Sequence, residues 1–233
     1  TKTDGTLWGW GLNQKGQLGA NSKTYMSSPT QIPGTTWGNH QFIGGQQRGA
    51  IKTDGTLWVW GNSENGFLGL NSSSTNARKS SPTQIPGTTW SKIFSGGEGF
   101  HNFAIKTDGS LWSWGASGGG RLGLNNEISR SSPTQVGTDT TWSDVSGSAV
   151  QRKVAIKTDG TLWAWGNNVD GALGQSQASS TKISSPVQVG SDTDWTDVAG
   201  TSVSYTHLRA HETRGRGGCG GGGGKKRGGG GGG

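Results

Sequence analysis

The chain has 233 residues, among them 46 Gly, 12 Trp and one Cys, with a formal net charge of +7. A single cysteine excludes an intramolecular disulfide framework, and no apolar run approaches the length that spans a bilayer. The charge excess is local: residues 203–233 hold six basic side chains and one acid, so residues 1–202 carry 15 basic against 13 acidic groups and give no general polyanion-binding signal.

One phrase organises residues 1–202. KTDGTLWGWG starts at Lys2, KTDGTLWVWG at Lys52, KTDGSLWSWG at Lys106 and KTDGTLWAWG at Lys157. The spacings are 50, 54 and 51 residues, a period that marks a repeat architecture. Asp-Gly between two extended runs predicts a hairpin, with a type I′ turn as the expected geometry. Phe103–Ile105 and Leu111–Trp114 are then antiparallel partners around Asp108-Gly109. In Leu-Trp-x-Trp the two indoles share one face, and Leu7 shares the other with residue 9. Residue 9 and its equivalents are Gly9, Val59, Ser113 and Ala164, a size limit that predicts close packing on that side.

Further along each copy comes Gly-x-Leu-Gly, at 16–19, 66–69, 120–123 and 171–174. Ser-Ser-Pro follows at 27–29, 80–82, 131–133 and 184–186, placing Pro at an edge strand or a strand start. A closing Trp stands at Trp37, Trp90, Trp142 and Trp195, before a return strand into the next Lys-Thr-Asp-Gly. No window has a convincing period of 3.6. About four short strands per copy predict all-β, blade-like units of a propeller. Trp10, Trp60, Trp114 and Trp165 are expected in its core.

Beyond Ser202 the pattern stops. Residues 203–213 read as the translated frame of a transposase adaptor used in sequencing libraries, and Gly-rich sequence follows to Gly233. This tail is expected to be disordered and without a role. The alternative is a basic, glycine-rich nucleic-acid-binding arm. With the tail set aside, nucleic acid is not an expected partner.

Asp4-Gly5, Trp10-Gly11, Asn13, Gly16-Gln17-Leu18-Gly19 and Ser28-Pro29 together resemble the regulator-of-chromosome-condensation repeat family. The resemblance covers residues 1–202 and recurs four times. The return strand departs from it: His101 stands near the family's histidine in one copy, against Gln-Gln-Arg at 46–48 and Gln-Arg-Lys at 151–153. The resemblance implies a β-propeller, usually of seven blades. Four copies then form an open arc, a fragment whose two ends fall inside repeat units. It also implies protein binding and, for some members, guanine-nucleotide exchange on a small GTPase. Exchange is associated with a wedge-like projection, which no copy here has the added length to build.

No catalytic, cofactor or metal site is expected. The four Asp of Asp-Gly read as turn residues, and the paired Trps as inter-blade core rather than a sugar-stacking platform. His40 and His101 lack metal-ligand spacing, and no nucleophile elbow or phosphate loop occurs. Asn71-Ser72-Ser73 is a glycosylation sequon, meaningful only along a eukaryotic secretory route.

The copies differ in two places. The inserts before Ser-Ser-Pro hold Lys23, Tyr25, Arg78, Lys79 and Arg130; the return-strand starts hold Arg48, His101, Arg152 and Lys153. Variable loops on a repeated scaffold are where binding residues belong, so these nine are the candidate partner contacts. The expected function is a non-catalytic scaffold for a protein or a surface glycan, with the exchange factor and a propeller lectin as alternatives. The low-charge, Ser/Thr/Asn/Gly-rich surface suggests a secreted, cell-surface or virion component of bacterial or viral origin.

Overall fold

The computed structural model describes residues 1–96, 100–146, 151–176, 181–200 and 205–206. Three four-stranded antiparallel sheets follow one another along the chain. The first joins β3 (Trp37–Ile43), β4 (Gln47–Lys52), β5 (Leu57–Gly61) and β6 (Lys79–Ile85). β7 (Trp90–Ser95), β8 (His101–Lys106), β9 (Leu111–Gly115) and β10 (Arg130–Gln135) form the second. The third holds β11 (Trp142–Val145), β12 (Arg152–Lys157), β13 (Leu162–Asn167) and β14 (Lys182–Gln188). A two-stranded sheet of β1 (Leu7–Gly11) and β2 (Met26–Ile32) precedes them. These are propeller blades set side by side in an arc.

A blade is not a sequence copy. β4 belongs to the copy that begins at Lys2, whereas its hairpin partner β5 belongs to the next, with Ile51 opposite Leu57. Each four-stranded sheet is therefore shared by two copies, which ties neighbouring repeats together covalently.

The Lys-Thr-Asp-Gly hairpin departs from the expected turn. Gly55 N–H donates to Lys52 O at 3.0 Å, and Lys52 N–H to Thr56 O at 2.9 Å. Only Gly55, with φ of +77°, is left-handed. That is a type I turn ended by a left-handed glycine, not a type I′ turn, which would need positive φ at Asp54 as well. Asp54 serves the turn through its side chain. Its Oδ1 accepts from Thr56 N–H at 2.9 Å and from Thr56 Oγ1 at 2.6 Å, and Trp58 Nε1 donates to Thr56 Oγ1 at 2.8 Å. Lys52 Nζ lies 4.5 Å from the Trp58 ring and 5.0 Å from the Trp37 ring. The same chain of contacts recurs around Asp108 and Asp159. The Lys, Asp, Gly, Thr or Ser and first Trp of the repeated phrase thus each have a structural task.

The core lies between blades. Leu57, Val59 and Ile85 of the first full sheet pack against Trp90, Ile93 and Trp114 of the second. Phe103, Leu111 and Val136 then meet Trp142, Val145 and Trp165 of the third. Within each sheet the three indoles meet edge to face, as at Trp90–Trp112 (6.0 Å) and Trp90–Trp114 (6.5 Å). Trp60, Trp114 and Trp165 are buried as expected, but Trp10 is 62% exposed. Its equivalents are covered by the Gly-x-Leu-Gly of the preceding repeat.

Of the tail, Tyr205–Thr206 (β16) is described, paired antiparallel with Ala199–Gly200 (β15). That pairing departs from a tail without any structure. The other residues of 203–233 lie outside the described ones.

Candidate functional site

Gly-x-Leu-Gly is an inter-blade clasp. Trp60 Nε1 donates to Gln17 O at 3.0 Å, Trp114 Nε1 to Phe67 O at 3.1 Å and Trp165 Nε1 to Arg121 O at 2.9 Å. Each acceptor is the variable residue of the motif, and the clasp bond itself uses only its backbone carbonyl. The closing glycine admits the indole: a Cβ on Gly69, whose φ is +70°, would lie 2.9 Å from Trp114 Nε1. Beside it, Asn71 N–H donates to Ser131 O at 2.7 Å in the next blade.

Strand direction then sorts the connections. Because each sheet is an antiparallel meander, the β3–β4 and β5–β6 connections leave one end of the blade, and the β4–β5 hairpin and β6–β7 connection leave the other. Neighbouring blades are in register, since Gly16, Gly66 and Gly120 abut Ser80, Ser131 and Ser184 of the following blade. At the opposite end Trp37, Trp90 and Trp142 N–H groups donate to Gly5, Gly55 and Gly109 O of the preceding hairpins. Both kinds of variable segment therefore converge on one face, the loop face. The conserved-looking turns occupy the other, the hairpin face.

The nine candidate residues divide on that face. Lys23 and Tyr25 are exposed, with the Tyr25 hydroxyl accepting from Gln14 Nε2. Arg78 is half-buried and pairs with Glu64 at 3.2 Å. Lys79 and Arg130 are half-buried at the starts of β6 and β10, opposite Gly61 and Gly115. Arg48 is half-buried and bonded to the Gly44 and Gln47 carbonyls; Arg152 is half-buried opposite Gly166.

His101 and Lys153 correct the expectation of loop contacts. They are 1% and 0% exposed, His101 at the start of β8 opposite Gly115 and Lys153 in β12 opposite the buried Trp165. Burial, with the nearby Lys153 and Arg121 charges, drives the His101 pKa well below its ordinary value. Burial chiefly, then Arg121, lowers the Lys153 pKa to about 7. Lys153 Nζ lies 5.8 Å from the Phe103 ring.

One structural residue escaped the sequence reading. Asn102 Nδ2 donates to Phe67 O at 2.7 Å, sharing the clasp carbonyl with Trp114. Its equivalents by register are Arg48 and Lys153, opposite Trp60 and Trp165. That change from basic to amide was the available signal. The turn aspartates are consumed in turn bonds: the Thr56 hydroxyl and N–H hold the Asp54 carboxyl below the usual range. Among the described residues no three His, Cys, Asp or Glu side chains cluster as metal ligands.

The regulator of chromosome condensation (RCC1) repeat pattern matches residues 4–42, 54–105, 108–149 and 159–202. The chain belongs to the RCC1 repeat family. RCC1 relatives include the ultraviolet-B receptor UVR8 of Arabidopsis thaliana, 27% identical over 173 residues, which cover 73% of this chain and 39% of the receptor. The E3 ubiquitin-protein ligase HERC2 of Homo sapiens is 28% identical over 180 residues, 75% of this chain and 4% of the ligase. Yeast RCC1 (Prp20) bound to Kap60 superposes with a TM-score of 0.71 at 18% identity, covering 89% of this chain and 51% of that one. Human WBSCR16 gives a TM-score of 0.70 at 23% identity, covering 86% and 52%. The chain thus spans about half of these two solved chains and 39% or less of the two curated relatives, and the structural likenesses establish a shared fold.

Proposed function

We propose that this chain is a non-catalytic RCC1-repeat scaffold that binds another protein through its loop face. The carrying observation is the division of labour between the faces. The repeated residues are used up in turns and clasps, whereas the segments that vary from copy to copy all emerge on one side. Variation confined to one face of a rigid scaffold is the usual form of a binding surface. Solved relatives fit a protein-binding reading: Prp20p is described by its binding to Gsp1p and histones, and yeast RCC1 was solved with Kap60.

The test immobilises the full chain and presents it with a nucleotide-loaded Gsp1p-type GTPase and a glycan array. Release of a fluorescent guanine nucleotide from the GTPase is followed in parallel. The proposal expects no acceleration of release and no glycan retention. Accelerated release would establish the exchange-factor reading instead, and saturable glycan binding the lectin reading.

A further inference from the structure

The two faces carry opposite charge. Among the described residues, the loop-face segments with their flanking strand starts (12–26, 44–48, 62–79, 100–101, 116–130, 151–153, 168–176 and 181–182) hold ten basic and three acidic residues, and with Arg121 and Lys153 buried, eight of the basic groups remain at the surface. The hairpin-face segments (1–6, 33–36, 52–56, 86–89, 106–110, 137–141, 157–161 and 189–194) hold four basic and seven acidic residues. All four of those basic residues are Lys of Lys-Thr-Asp-Gly, and each ammonium lies over an indole, at 4.0 Å for Lys2 and Lys106 and 3.7 Å for Lys157. A net balance near zero along residues 1–202 therefore conceals a dipole across the propeller.

Each full blade has one cation at the start of its outer strand: Lys79 and Arg130 face Gly61 and Gly115, whereas in the third blade Ile183 takes that position opposite Gly166 and Lys182 stands one residue earlier, opposite Asn167. Lys182 is exposed, Lys79 and Arg130 half-buried. Register between blades turns this into an arc of cations, with Lys23 and Arg152 on the same face.

We propose that the loop face docks an acidic protein surface. The inference rests on the interaction reading above and names the partner's chemistry. Charge complementarity of this kind steers encounter and fixes orientation. A protein fits better than a nucleic acid because carboxylates are set among the cations. Glu64 pairs with Arg78 at 3.2 Å and Glu127 with Lys182 at 3.0 Å. A row of phosphates would face these carboxylates at close range, whereas a protein surface of mixed charge can offer each a cation.

The experiment uses the full chain with the six basic residues of 203–233 replaced by serine, so that they cannot supply the binding. Labelled poly-L-glutamate and a DNA duplex are titrated by fluorescence anisotropy. Lys79→Glu with Arg130→Glu lowers the loop-face charge by four units. Thr35, Thr88, Thr89 and Thr140, all exposed on the hairpin face, are changed to Glu for an equal change at the other end. Circular dichroism checks that both variants fold. The loop-face pair is expected to weaken poly-glutamate binding about tenfold or more, and the hairpin-face set by less than about twofold, at an ionic strength of about 0.1 M. Equal losses in both variants, or no poly-glutamate binding by the parent, overturn the inference. So does tighter binding of DNA than of poly-glutamate, which would make the face a nucleic-acid surface. A protein partner held equally well at about 1 M salt, where charges are screened over a few ångströms, overturns acidic docking but leaves the scaffold reading standing. A partner that is retained when the whole loop face is altered overturns the scaffold reading itself.

Discussion

Lys153 places an ammonium where no solvent reaches it. Its pKa of about 7, against an ordinary 10.5, ties stability to pH with a definite sign. Between those values the unfolded chain holds the proton and the folded chain does not, so stability rises with pH across that window. Below about pH 7 that contribution is lost, since folding then buries a charge. His101 acts in the same sense at lower pH: its folded pKa lies well below 6.5, so stability falls as pH drops beneath that value. Urea midpoints are expected to climb from pH 6 to pH 9.5. Lys153→Met should flatten the alkaline part of the climb and leave the part due to His101; an unchanged slope would contradict the assignment. Sequence could place Lys153 at a return-strand start but not inside the blade interface, because burial depends on the neighbouring repeat. The same is true of the tryptophans. Trp114→Ala is expected to cost about 3–5 kcal/mol in denaturant melts, as for other buried aromatic truncations. Trp10→Ala should cost less than about 1 kcal/mol, in the range of surface substitutions. Four copies of one Leu-Trp-x-Trp motif thus contain one Trp with a different environment.

Hairpins and clasps are the elements that make the repeat. The hairpin positions were legible because Asp-Gly between extended runs has few other uses. The turn type was not, since Asp54 does its work through its side chain and needs no positive φ. Gly-x-Leu-Gly was legible as a motif but not as a clasp, because its partners Trp60, Trp114 and Trp165 stand 43 to 47 residues away in sequence. Nor did the period reveal where a blade begins. A repeat can be divided anywhere, and the sheet boundary falls before the closing Trp rather than before Lys-Thr-Asp-Gly. The clasp gives an element-scale prediction. Gly69→Ala combines left-handed backbone strain with a close approach to the Trp114 indole, whereas Gly137, φ +62°, has open space around its Cβ position. Strain alone should cost Gly137→Ala about 1–2 kcal/mol. Gly69→Ala should cost at least about 1 kcal/mol more, since the indole must shift within a packed interface. Equal losses in paired melts would remove the clasp from the account.

At the scale of the whole molecule, stability is shared among neighbours. Blades contact the blades beside them, so the chain behaves as a short one-dimensional stack whose interfaces carry the apolar burial. The β1–β2 sheet is the weakest part of that stack. Trp10, in β1, is 62% exposed, and Leu12, one residue past the end of that strand, is 54% exposed. An indole and a leucine beside free strand edges form an adhesive surface. The 233-residue chain is therefore expected to self-associate at micromolar concentrations, with a sedimentation profile that depends on concentration. Because the driving area is apolar, association should persist at high salt, unlike the charge-driven docking proposed for the loop face. Trp10→Ser with Leu12→Ser should shift the profile toward monomer while Lys79→Glu with Arg130→Glu leaves it unchanged. If the reverse holds, charged faces rather than the exposed β1–β2 surface bring copies together, and head-to-tail stacking of the basic loop face on an acidic hairpin face becomes the mode of assembly.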